Sequence, residues 1–123
     1  MYWREVEIKG MGHMISIGYE VSIPVSDARH YDFIAYHPVQ KEFYRVNVKQ
    51  SYLRDRSQPN SWSISLASGG WPDNAKEGIV DVYLAYLPDR DEFIHLPGDF
   101  FTDVASKSKR IPKEYLQPFA LPA

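Results

Sequence analysis

Residues 31–51, YDFIAYHPVQKEFYRVNVKQS, constrain this chain more than any other stretch. They read as two extended segments joined by a short polar turn that holds Pro38. A connection that short permits an antiparallel hairpin and excludes a crossover. Side chains on a strand alternate between faces, so Val46 and Val48 share one face while Asn47 and Lys49 share the other. The first segment carries Asp32. An amide and a lysine set beside an aspartate fill a core poorly, so their face is a candidate site.

The rest of the chain supplies elements to surround this hairpin. Residues 3–17 place Val6, Gly10, Met14 and Ile17 on one helical face, with Ile8, Met11 and Ile15 on an adjoining one. Gly10 and Gly12 weaken a helix by about 1 kcal/mol each against alanine, but they allow close packing on a sheet. Gly18 fits a helix C-cap. Residues 19–25 alternate, with Val21, Ile23 and Val25 on one side, and Pro24 confines them to a sheet edge or a strand end.

Residues 51–60 are polar and read as a loop. Residues 61–67 alternate again, with Trp62, Ile64 and Leu66 inward, and glycines mark 68–78 as a connection. Residues 79–87 form a strong strand, with Val80, Val82, Leu84 and Tyr86 on one face; 92–96 return after a turn. Residues 98–106 are expected to form a helix capped by Asp99. From Ile111 onward, three prolines suit a short helix followed by an extended arm. The order gives an α+β fold around a mixed central sheet flanked by helices.

At 123 residues, 1–123 is expected to be a single domain, with 111–123 its C-terminal tail. No apolar run is long enough to cross a membrane, and the charged N-terminus lacks the apolar core of an export signal. The absence of cysteine removes disulfides and thiolate metal sites; together these features lead us to expect a cytoplasmic protein. The net charge of −2 argues mildly against a nucleic-acid partner, although Arg54 with Arg56, and Lys107, Lys109, Arg110 and Lys113, make two local basic clusters. A solvated surface is the simpler reading of both clusters.

Phosphodiester hydrolysis assisted by a hard cation needs oxygen ligands and a positive group facing the phosphate. Asp32, the Asn47 side chain and the Val48 carbonyl supply candidate ligands. Lys49 can orient water or stabilise developing charge, and Glu7 on the first helix can lean over the sheet to bind the metal or its water. Each also has an ordinary reading: Asp32 as a strand-end cap, Lys49 as a snorkelling lysine, Glu7 as a first-turn acid. His13, His30, His37 and His95 have no ligand-like spacing and read as surface or packing residues. Asp81 reads as exposed and Trp62 as core.

The succession of Glu7, Gly18-Tyr19-Glu20-Val21, Tyr31-Asp32 and Arg45-Val46-Asn47-Val48-Lys49 resembles the PD-(D/E)XK nuclease superfamily. It is most similar to the branch holding Holliday junction resolvases and PD-(D/E)XK homing endonucleases, over roughly residues 5–97. Asn47 stands where that family places Glu, Asp or Gln. The resemblance implies a restriction-endonuclease-like α/β/α sheet and a magnesium-dependent DNA endonuclease, with manganese as an alternative ion. It implies Glu7, Asp32, Asn47 and Lys49 as catalytic residues, with Asp32, Asn47, Val48 and Glu7 around the metal. Arg54, Arg56 and the 107–113 cluster would contact phosphates. The implied assembly is a homodimer or tetramer, since a duplex has two strands. A second reading stays open, in which Asn47 has impaired cleavage and the chain serves as a nucleic-acid-binding or assembly module.

Overall fold

The computed structural model describes residues 3–26, 31–53, 55–58, 61–65, 79–101 and 108–116. Helix α1 (Trp3–Ser16) leads, followed by β1 (Glu20–Ser22), β2 (Phe33–His37), β3 (Glu42–Leu53), β4 (Trp62–Ser65), β5 (Val82–Leu87), β6 (Glu92–Pro97) and β7 (Ser108–Arg110). A short 3-10 helix, Lys113–Leu116, ends the described chain. The fold is α+β, with α1 the one α-helix among the described residues.

Helix α1 ends because Gly18 adopts φ 102°, where residues other than glycine are strained. The Tyr19 amide then donates to Met14 O at 3.0 Å and Gly18 to Ile15 O at 3.0 Å, the paired bonds of a Schellman cap. Gly10 lets the helix sit down on the sheet, since a Cβ there would lie 3.0 Å from Val48 Cγ2. Gly12 faces open space, so only one of the two glycines has a packing reason.

The seven strands form one mixed sheet. Strand β3 is its spine. It pairs antiparallel with β2 over 42–46, parallel with β5 over 46–50, and antiparallel with β4 over 51–53. Two core clusters cover the two faces. Phe33, Ala35, Val46 and Leu84 pack against Met14 of α1. Trp62, Ile64, Tyr83, Phe101 and Ile111 fill the opposite face, with Tyr115 and Leu116 packed on them. Each fully buried side chain of this size contributes about 1.5–3 kcal/mol.

Several expectations change. Residues 51–53 are strand rather than loop, because β4 pairs with them. The strand over 19–25 shrinks to Glu20–Ser22, and Ile23 and Val25 are exposed at 65% and 107%. Pro24 lacks the amide to continue the ladder. Residues 98–101 make a turn where a helix was expected; 102–106 lie outside the described residues. A Cβ on Gly98 would come within 2.2 Å of Val80 O, so this backbone is pressed against another chain segment. Phe100 and Phe101 are both buried beside it. Asp81 is not a lone surface acid: its Oδ2 accepts from the Arg45 amide at 2.7 Å and from Arg45 Nε at 3.0 Å.

Candidate active site

Asp32 stands immediately before β2 and ends the β2–β3 ladder with its side chain. Its amide donates to Val46 O at 2.8 Å, continuing the ladder by one bond. Its Oδ2 then accepts the Val48 amide at 2.7 Å, where a further strand residue would have offered a carbonyl. A strand residue sends its N–H and C=O to the same edge. The Val48 carbonyl therefore opens on the edge where Asp32 sits. Asn47 and Lys49 flank Val48 and project to the face of their β5 partners Tyr83 and Ala85. Asn47 is 8% exposed, so its amide is a built-in part of the sheet rather than a surface group.

Glu7 reaches Asp32 from α1, whereas Asn47 and Lys49 project to the sheet face opposite that helix. With Arg4, Ile8, Tyr31 and Asp32, Glu7 lines a cleft of about 570 Å³. Burial pushes the Glu7 carboxyl above its ordinary value, the negative charge of Asp32 adds to this, and Arg4 partly offsets it. Asp32 is also raised by burial, against the opposing pull of the Val48 amide and the Lys49 charge. Burial lowers Lys49, while Asp32 draws it back up. Two acids and a lysine are thus all held away from their easiest charge states.

This donor set fits a hard divalent cation. The Glu7 Oε2 atom is buried with no hydrogen bond among the described residues. Asp32 adds carboxylate, and Asn47 and Val48 add neutral oxygens of the kind magnesium accepts. No three His, Cys, Asp or Glu residues converge as a ready metal cage among the described residues.

The basic residues divide. Arg56, Arg110 and Lys113 are exposed. Lys109 is turned inward: Nζ donates to Phe100 O and lies 4.2 Å from the Phe100 ring centroid. Arg54 and Lys107 lie outside the described residues. Two pairings escaped the sequence reading. Arg45 and Asp81 link β3 to the entry of β5, and a signal existed, since Asp81 precedes its strand as Asp32 precedes β2. His13 and His95 bring their Nε2 atoms to 3.0 Å, and nothing in their spacing announces it. His37 is a packing residue as expected, buried edge-on against Tyr19; His30 lies outside the described residues.

Residues 4–114 match the family described as PD-(D/E)XK endonuclease, whose enzymes generally use divalent metal ions. Among solved structures, the bacterial homing endonuclease I-Ssp6803I shares the fold at a TM-score of 0.64 and 17% identity, over 88% of this chain and 70% of that one. A comparison with curated proteins finds no match. No helix among the described residues is long and apolar enough to cross a membrane. The family match spans nearly the whole sequence, and on that ground this chain belongs to the PD-(D/E)XK endonuclease family.

Proposed function

We propose that this chain is a magnesium-dependent DNA endonuclease, with manganese able to replace magnesium. The observation that carries this reading is the Asp32 carboxylate on the Val48 amide at 2.7 Å, flanked by Asn47 and Lys49 and faced by Glu7. Asp32, the Asn47 amide oxygen, the Val48 carbonyl and Glu7 hold the ion. When bound, it supplies Lewis-acid stabilisation of the phosphate and a more acidic water. Lys49 orients the attacking water and steadies negative charge developing on the phosphate; its depressed pKa lets it exchange a proton more readily than an ordinary lysine. Arg56, Arg110 and Lys113 are exposed and suit phosphate contacts, which fix the position of a duplex without reading its sequence. Cutting both strands is served by a symmetric homodimer or tetramer.

The test is magnesium-dependent nicking or cleavage of plasmid and branched DNA. Activity should vanish in Asp32→Ala and Lys49→Ala; activity unchanged in both would sink the assignment. A second reading, a nuclease fold kept as a nucleic-acid-binding or assembly module, draws on Asn47. An inactive wild type that gains cleavage in Asn47→Glu or Asn47→Gln would favour it.

A further inference from the structure

His13 lies in the last turn of α1, and His95 lies on β6 facing it. Their Nε2 atoms are 3.0 Å apart and their ring centroids 5.2 Å apart. A centroid separation that large for so short a nitrogen contact means the rings point nearly head-on. That is the geometry of an N–H···N hydrogen bond. The bond needs one proton between the two nitrogens. A neutral pair supplies it, and so does a pair in which one ring is an imidazolium. A doubly protonated pair has two donors, no acceptor, and two positive charges at contact. The bond must then break.

Among the described residues, charged groups approach the pair from both elements. From α1, Lys9 faces the groove one turn before His13; from the β5–β6 turn and β6 come Arg90, Asp91 and Glu92. Asp91 is already paired with Lys9 at 2.9 Å and bonded to the Tyr86 hydroxyl. Phe93 stacks obliquely on His13, with centroids 5.2 Å apart. On the other side, His95 meets a cavity lined by Met14, Tyr19, Tyr44 and Val82. Burial lowers the pKa of both rings; His95 falls to about 3, first through burial and then through His13.

We propose that His13 and His95 form an acid-sensitive latch, which holds α1 to β6 while at least one ring is neutral and releases it when both are protonated. Because α1 also carries Glu7, acid release withdraws Glu7 from the Asp32 cleft. This last consequence, and only this one, rests on the function proposed above. The unfolded chain takes up both protons below the ordinary histidine pKa of 6.5, and the latch refuses at least one of them. Stability from the pair is therefore full above that value and is lost progressively as pH falls through it.

The experiment compares urea unfolding of the full chain at pH 7.5 and pH 5 for wild type, His13→Gln and His95→Gln. Glutamine can keep a hydrogen bond to the remaining imidazole without titrating. Between the two pH values, the folding equilibrium constant of wild type should fall roughly tenfold further than that of His13→Gln. If His95→Gln does not fold, His13→Gln carries the comparison alone. Parallel losses in wild type and His13→Gln overturn the latch. So does an NMR titration in which His13 and His95 each take up a proton at the ordinary histidine value while α1 amides stay protected. Magnesium-dependent cleavage measured on the same samples separates the two claims. No cleavage at any pH, with the unfolding difference intact, removes the nuclease reading and leaves the latch standing. Cleavage whose acid limb is identical in wild type and His13→Gln overturns the coupling to Glu7.

Discussion

Two aspartates in this molecule hold the same spine strand in nearly the same way. Asp32 precedes β2 and accepts the Val48 amide at 2.7 Å; Asp81 precedes β5 and accepts the Arg45 amide at 2.7 Å. Each has a β3 cation close by, Lys49 for Asp32 and Arg45 for Asp81. Their protonation nonetheless goes opposite ways. Burial pushes Asp32 up, and the Val48 amide and Lys49 do not bring it back. Burial also pushes at Asp81, but the side-chain and backbone hydrogen bonds of Arg45, with its charge, bring it below the ordinary value. Asp81 is a satisfied carboxylate with a bidentate guanidinium partner; Asp32 remains underserved and shares its cleft with the acid Glu7. The difference is the one expected between a structural clasp and the cation site proposed for Asp32.

The sharpest way to break this contrast is to remove each aspartate and measure cleavage. Asp32→Ala should lower magnesium-dependent cleavage by about a hundredfold or more, as expected when several kcal/mol of metal-assisted stabilisation is lost. Asp81→Ala should leave it within a few-fold, provided the protein is assayed well below its melting temperature. Similar losses in both would erase the distinction between clasp and site.

The next largest effect concerns what holds the clasp. A Cβ at Gly98 would lie 2.2 Å from Val80 O and 3.1 Å from Asp81 O. Backbone atoms cannot swing aside as a side chain can. Gly98→Ala should therefore destabilise by roughly 2–3 kcal/mol in denaturant unfolding, at the upper end of overpacking effects. A neutral result would mean that the Val80–Asp81 segment is not fixed against β6.

The sequence told unequal amounts about these two aspartates. Alternation is local, so Val46 and Val48 could be set against Asn47 and Lys49, and Asp32 could be put next to them through one short turn. The Gly18 cap was equally local. The parallel pairing of β3 with β5 was not, since it joins Val46 to Val82 across a long stretch of chain. Asp81 could be read as exposed only because its partner Arg45 is reached through that pairing. The His13–His95 contact depends on the same tertiary step, α1 crossing onto the β5–β6 hairpin. Gly98 misled for a related reason: a helix was plausible until the Val80 carbonyl took its space. Basic residues were the least legible, because charge alone does not distinguish Lys109, folded onto Phe100, from the exposed Arg110 beside it.

Smaller but of opposite sign are the charge-neutralising variants. Without divalent metal at pH 7, Asp81→Asn should lower stability by up to about 1 kcal/mol. The limit is modest because Asp81 and Arg45 side chains remain 35% and 42% exposed and solvent screens their pair. Asp32→Asn should hold or raise the melting temperature, since asparagine keeps an oxygen for the Val48 amide and removes a charge that burial disfavours. Equal losses in the two variants would show that Asp32 is as well served as Asp81.

The smallest effect is the pH dependence of that difference, measured in a chelator. The ordinary aspartate value is 3.8. Asp32 has a folded pKa above it, so the folded chain holds this proton more tightly than the unfolded one. As pH falls through the raised value, wild type gains stability from Asp32, and the gain is complete below 3.8. Asp81 has a folded pKa below 3.8. Its contribution is present above 3.8 and is lost as pH falls through the depressed value. Subtracting each Asn variant from wild type removes the titrations they share, including those of the histidines. The Asp32 difference curve should therefore rise toward acid and the Asp81 curve should fall. Magnesium should flatten the Asp32 curve, because a bound cation favours the ionised carboxylate, and leave the Asp81 curve unmoved. A magnesium response in the Asp81 curve alone would put the cation on the wrong aspartate and reverse the assignment of clasp and site.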